Sequence, residues 1–159
     1  MRKFEVAKGF ENRGVILPTR ATEGSAGYDI RILIDTGVPR KILPHEKVLF
    51  HTGVKVCMEE DEVLQIYVRS SVGIKKNLIL ANATGIIDSS FYGNPQNDGE
   101  IVIVLYNNSD EVVVVENNER IAQGIFMKYL TTEDDNVGVS RVGGIGSTNY
   151  EGYTEQRTA

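Results

Sequence analysis

The chain has 159 residues, enough for one domain with a sizeable core, and its 41% hydrophobic and 25% charged content is ordinary for a globular protein. A net charge of −5 argues against a nucleic-acid binder, which carries a basic face, and no apolar run is long enough for a bilayer span or a signal-peptide core. The one cysteine, Cys57, excludes an internal disulfide and makes a reducing, cytoplasmic setting the expectation, while two histidines and that cysteine offer no zinc ligand cluster.

Helical periodicity is nearly absent. Short runs of β-branched and aromatic residues, separated by turn residues, predict strands over 14–17, 29–34, 46–55, 64–68, 78–81, 101–106, 112–115 and 123–129. Only residues 70–76 read as a short helix. His45 and His51 flank the 46–55 run and are expected at the surface, whereas Cys57, within Val54-Lys55-Val56-Cys57-Met58, reads as a small buried hydrophobe. Ile101-Val102-Ile103-Val104-Leu105-Tyr106 is apolar throughout, which predicts a strand buried on both faces. Asn107-Asn108-Ser109-Asp110 then reverses the chain into the valine run at 112–115. Residues 93–99 read as a polar surface loop and 131–159 as an extended polar tail. The expected fold is all-β, a single barrel or jelly-roll-like domain over 1–136 followed by a flexible C-terminal arm over 137–159.

Several segments carry groups suited to chemistry. Gly85-Ile86-Ile87-Asp88 puts a carboxylate after a strand-like run, a position used by catalytic groups and equally by turn formers. The Asn82 amide has the donor and acceptor needed to read a pyrimidine edge, and the Phe91 ring can pack on a sugar or base. The three would make a nucleoside pocket on one hairpin; alternatively, Asn82 and Asp88 merely satisfy their own turn. Arg69-Ser70-Ser71 supplies a guanidinium and two hydroxyls, with Gly73, Lys75 and Lys76 following. Ala26-Gly27-Tyr28-Asp29 and Arg120-Ile121-Ala122-Gln123-Gly124 are unremarkable taken singly. Arg141-Val142-Gly143-Gly144-Ile145-Gly146-Ser147-Thr148 offers glycine-freed N–H groups, hydroxyls and a guanidinium to a polyphosphate, although it also has the composition of a Gly/Ser tail. It lacks the spacing of a Walker loop.

Order and spacing decide between these readings. Read together, residues 26–30, 69–73, 85–92, 120–123 and 141–148 resemble the five motifs of the trimeric dUTPase family, and the similarity runs from Leu17 to Thr148. The resemblance implies an all-β jelly-roll-like subunit in a homotrimer with shared active sites, hydrolysing dUTP to dUMP and diphosphate with Mg²⁺. It implies that Asp88 is the general base acting on the water that attacks the α-phosphorus. Asn82 matches the uracil-reading asparagine, with a tight turn at Ala83–Gly85 excluding thymine, and Phe91 matches a deoxyribose-packing aromatic. Ser70 and Gln123 match residues that contact the phosphate chain or the catalytic water, and Ser71 beside them is expected among the substrate-binding residues. Arg69 falls at the same place and resembles a buttress, as does Arg120, with Asp29 a supporting carboxylate. Arg141, Gly146, Ser147 and Thr148 match the segment that closes over the outer phosphates. The metal is implied to sit on triphosphate oxygens and water, with no direct protein ligand.

The chain departs from the family pattern at four places. Ile145 stands where an aromatic is usual, Phe91 lacks the usual tyrosine hydroxyl, Ser71 replaces a glycine, and residues 94–98 lengthen a loop. Two other readings share the fold or the ligand: a dCTP deaminase, which needs a glutamate in the nucleobase pocket, and a dUTP-binding regulatory module.

Overall fold

A computed structural model describes residues 1–138 and 144. Its strands, numbered in chain order, form two main sheets and two ribbons, with every pairing antiparallel. The larger sheet is ordered β2 (Thr19–Arg20), β3 (Tyr28–Arg31), β12 (Arg120–Lys128), β7 (Glu62–Val68), β9 (Gly85–Asp88). The smaller is ordered β5 (Lys47–His51), β10 (Val102–Asn107), β8 (Leu78–Leu80). β1 (Lys3–Val6) pairs with β6 (Val54–Cys57), and β4 (Arg40–Ile42) with β11 (Val113–Val115). The fold is all-β, as expected. The one α-helix among the described residues, α1, spans Ser70–Lys76 and ends at Asn77 in the left-handed region. None of these elements is a helix long and apolar enough to cross a membrane.

The core is built by strand alternation. Ile30, Leu64, Ile66, Ile121 and Ala122 from the larger sheet meet Phe50, Leu78, Leu80, Ile103 and Leu105 from the smaller one. Burying a side chain of this size contributes roughly 1.5–3 kcal/mol, so these positions dominate stability. The tetrad after β10 reverses the chain through buried Asn107, whose Nδ2 donates to the carbonyls of Ile42, Leu43 and Glu111.

Five expectations are corrected. Residues 14–17 form no strand, and the chain instead pairs at Thr19–Arg20. β1 and β4 arise where none was predicted. The 46–55 run is broken because the buried Glu100 carboxylate accepts the N–H groups of Thr52 (3.2 Å) and Gly53 (3.0 Å), sending β5 and β6 to different sheets. β10 is buried on one face only: Ile103, Leu105 and Asn107 point inward, while Val102, Val104 and Tyr106 are partly exposed beside Leu49 and Ile79. Cys57 likewise is only partly buried.

The 93–99 loop is more ordered than its polarity suggests. Asn94 is 5% exposed at its centre. Outside, the Asp98 carboxylate accepts from Lys55 Nζ (2.7 Å) and from the Lys8 N–H (2.9 Å). The Lys55 bond, then the Lys8 bond, holds the Asp98 pKa below its usual value. A carboxylate depressed on folding stabilises above its unfolded pKa and loses that contribution as pH falls through its folded one, so this anchor is present above about pH 4 and fades in stronger acid. Asp98→Asn is expected to lower Tm at neutral pH, with the gap to wild type closing below about pH 4. Calorimetry across pH checks this; a gap independent of pH would contradict it.

Candidate active site

The first cleft opens beside the turn joining β8 to β9. Ala83 N donates to Leu80 O (3.0 Å), Thr84 N donates to Asn82 O (2.7 Å), and Ala83 takes a positive φ of 61°. The turn is as tight as expected, but it is no ladder-paired hairpin, because β8 and β9 belong to different sheets. It therefore straddles the gap between them. β9 pairs with β7, putting Gly85 opposite Ile66 and Asp88 opposite Val63 at the strand end. A 3-10 turn over Ser89–Phe91 follows, closed by Tyr92 N to Ser89 O (3.4 Å). This turn brings Phe91 to the cleft that Asp88 also lines.

The result is a cleft of about 250 Å³ lined by Asn82, Gly85, Asp88 and Phe91, with Ile66, Leu80, Val102 and Val104 as apolar wall. A recess that joins an apolar wall to convergent polar groups suits a small organic ligand. Gly144 also lines it.

Glu100 is a wall residue that the sequence did not single out. It is 4% exposed, and its carboxylate is engaged by Thr52 N, Gly53 N and His51 Nδ1, the last at 2.9 Å from Oε2. A carboxylate so fully hydrogen-bonded is fixed in place. Its position depends on the β5–β6 break, which no local pattern announces.

The second cleft is lined by Gly27, Asp29, Arg69, Ser70, Ser71 and Gln123, together with Ala21 and Ser25. β12 lies between β3 and β7 and sets Gln123 opposite both Asp29 and Tyr67. α1 starts where Arg69 N donates to Ile121 O (3.0 Å), which places Ser70 and Ser71 at the rim. Asp29, with its side chain 11% exposed, bridges two guanidiniums: Oδ1 to Arg69 Nε (2.8 Å) and Oδ2 to Arg120 Nη1 (3.1 Å). One carboxylate thus orients both arginines. Arg69 lines the cleft and Arg120 does not. The surroundings carry hydroxyl, amide and guanidinium donors, the inventory that an oxyanion needs.

Gly27 lies so close to Gln123 that an added Cβ would collide with Gln123 Oε1. The obstacle is the end of a flexible side chain, so the amide can swing away. Gly27→Ala is expected to change stability by less than about 1 kcal/mol yet raise KM for the nucleotide by displacing Gln123. Thermal melts with steady-state kinetics check it, and an unchanged KM would contradict the placement of Gln123.

The sequence-predicted site residues therefore fall into two groups: Asn82, Gly85, Asp88 and Phe91 in one cleft; Asp29, Arg69, Ser70, Ser71 and Gln123 at the other. Among the described residues the two clefts share no lining residue. Arg141, Gly146, Ser147 and Thr148, with the atypical Ile145, lie outside the described residues. Among the described residues no three His, Cys, Asp or Glu side chains cluster to hold a metal.

Comparison with known proteins fits this geometry. The dUTPase family model matches residues 13–148. Deoxyuridine 5'-triphosphate nucleotidohydrolase of Lactococcus lactis is 42% identical over 150 residues, covering 93% of this chain and 97% of that protein. Its counterpart from Fusobacterium nucleatum is 37% identical over 133 residues, covering 84% and 85%. The crystal structure of dUTPase from Streptococcus mutans superposes with a TM-score of 0.73 at 38% identity, covering 82% of this chain and 98% of that one. With residues of its motifs lining the two clefts and residues 13–148 matched by the family model, the chain belongs to the dUTPase family.

Proposed function

We propose that the protein hydrolyses dUTP to dUMP and diphosphate by water attack on the α-phosphorus, with Asp88 as general base. Membership of the family makes it a dUTP diphosphatase. The finer reading is carried by one observation: Asp88 lines the same cleft as the Asn82 amide and the Phe91 ring, so groups suited to water, base and sugar face one recess. Asn82 and the backbone of its turn pair with the uracil edge. Cytosine, with donor and acceptor exchanged, would leave polar groups unsatisfied. The tight turn before Gly85 leaves no room for a thymine methyl, and Phe91 packs against deoxyribose. Asp88 orients the water and takes its proton as the phosphorus is attacked.

The phosphate chain belongs to the other cleft, where Ser70, Ser71, Gln123 and the Asp29-held Arg69 would receive it. Arg141, Gly146, Ser147 and Thr148 are proposed to add donors from the C-terminal arm over 137–159. With no acidic cluster among the described residues, Mg²⁺ would be held by phosphate oxygens and water, the coordination this hard ion favours. When bound it neutralises charge on the triphosphate.

A single chain holds the two groups of residues in separate clefts, which supports a homotrimer whose sites draw on more than one subunit. The outward face of the β5–β10–β8 sheet supports this too. Leu49 and Ile79 are 49% and 42% exposed beside Val102 and Val104, and the latter two also wall the first cleft. Covering that face would bury apolar surface and complete the cleft in one step. The partly buried, unpaired Cys57 fits a cytoplasmic setting.

Deamination is disfavoured because Glu100, among the described residues the one glutamate lining the cleft, is locked by Thr52, Gly53 and His51 and has no freedom to shuttle protons. A purely regulatory dUTP-binding module would have no use for a carboxylate beside the substrate. Hydrolysis in ¹⁸O-labelled water tests the direction of attack: label in dUMP supports the α-phosphorus, and label in diphosphate would overturn it.

A further inference from the structure

The loop that follows Phe91 grips that residue's backbone from the far side of the cleft. Phe91 O accepts both Asn94 N (3.4 Å) and Asn94 Nδ2 (3.2 Å). Gly99 approaches the same carbonyl so closely that a Cβ would stand 2.6 Å from it, and its φ of +81° is one that side chains rarely adopt. Asn94 Oδ1 accepts from Gln96 N (3.0 Å) and Asn97 N (3.3 Å), while Asn94 N–H and carbonyl are both used, the carbonyl by Asp98 N (2.9 Å). Gly93 N reaches Asp98 O (3.1 Å), closing the loop on itself. Lys55 and Lys8 fasten it from outside through Asp98. Lys55 Nζ also sits 4.9 Å from the centre of the Tyr92 ring, and the Tyr92 hydroxyl donates to Glu5.

A loop with its polar groups this well satisfied is stiff, and its stiffness is passed directly to Phe91. One member faces the other way. Asn97 Oδ1 is occupied by Asn94 Nδ2 and Gly99 N, Asn97 Nδ2 donates to Glu100 O (3.5 Å), and the same Nδ2 lies 3.9 Å from where a Cβ on Gly144 would stand. The same Cβ position is 3.6 Å from Phe91 Cε2. Gly144 thus rests in a corner made by the Phe91 ring and the Asn97 amide, at the edge of the cleft.

We propose that the 93–99 loop is a positioning element of the nucleotide site: it locks Phe91 against the sugar and, through Asn97, forms the seat on which Gly144 rests when nucleotide is bound. The inference builds on the proposed dUTP reading. Asn97 is a positioning residue, acting through Phe91 and Gly144 and not on the reacting atoms.

The test is a double-mutant cycle on the full-length protein with Asn97→Ala and Gly144→Val, read as the dissociation constant of α,β-imido-dUTP and as KM and kcat for dUTP. Asn97→Asp is a companion that keeps the oxygen acceptor used inside the loop. Each single variant is expected to weaken binding about five-fold, the size of one lost hydrogen bond or contact, with kcat within about two-fold. The double variant should weaken binding by clearly less than the product of the singles, because the two positions share one contact. Asn97→Asp keeps the contacts that its oxygen accepts but loses the long bond from Nδ2 to Glu100 O (3.5 Å), so it should melt slightly below wild type and still bind weakly. Singles that multiply, or an Asn97→Ala variant that binds as wild type, would overturn the inference. Wild type that binds the analogue without hydrolysing dUTP would refute the hydrolytic reading while the cycle still decides the loop. Wild type that binds no analogue would overturn both.

Discussion

Asp88→Asn is expected to lower kcat for dUTP by about 10³-fold, the usual contribution of a positioned general base. Binding of a non-hydrolysable dUTP analogue should stay within about two- to three-fold of wild type, because the amide keeps the volume and much of the hydrogen bonding of the carboxylate. The size of the effect follows from position. Asp88 ends β9, held in register by β7 opposite Val63, in the cleft that Asn82 and Phe91 also line. Among the described residues, the other carboxylate lining that cleft is Glu100, which is tied to Thr52, Gly53 and His51. It cannot take over proton transfer without abandoning the strand break it holds. Turnover and analogue affinity measured on the same preparation check the prediction. A variant that hydrolyses dUTP like wild type would remove Asp88 from the mechanism.

The second large effect concerns the division of the site. Asp88→Asn chains and Ser70→Ala chains should each be poorly active alone, and unfolding and reassembling them together should restore turnover. If each site takes Asp88 from one subunit and Ser70 from another, random assembly at equal ratio leaves about a quarter of sites with both groups intact. Recovery to that level, against the low activity of either parent, would show sites shared between chains. Mixed protein no more active than the average of its parents would place both clefts' functions within one subunit. The expectation rests on the absence of any common lining residue between the two clefts and on the apolar outward face around Leu49, Ile79 and Val102.

Much of the local chemistry was legible in the sequence because it is written in short stretches. Asn82, Gly85, Asp88 and Phe91 fall within ten residues and do line one cleft. Helix α1 matched its expected residues, where Lys75 and Lys76 complement the negative end of the helix. What escaped was set at long range. β1 offers four alternating residues and β4 a single buried one, Ile42, so neither rises above its surroundings until a partner strand pairs with it. The split of the 46–55 run comes from Glu100, 47 residues beyond Gly53. The six apolar residues from Ile101 read as buried on both faces because an apolar outer face looks the same in sequence whether or not it meets the core. The polar letters of 93–99 suggested open solvent, yet Asn94 turns inward to satisfy its own loop. The separation into two clefts was likewise invisible, since it depends on β12 lying between β3 and β7 while β8 and β9 part company.

Diphosphate release with Mg²⁺ across dUTP, dTTP, dCTP and UTP, with ammonia measured on the same samples, tests the central claim most directly. The Asn82 turn and the Phe91 ring predict release from dUTP alone and no ammonia from any substrate. Ammonia from dCTP, or analogue binding without release from dUTP, would contradict it.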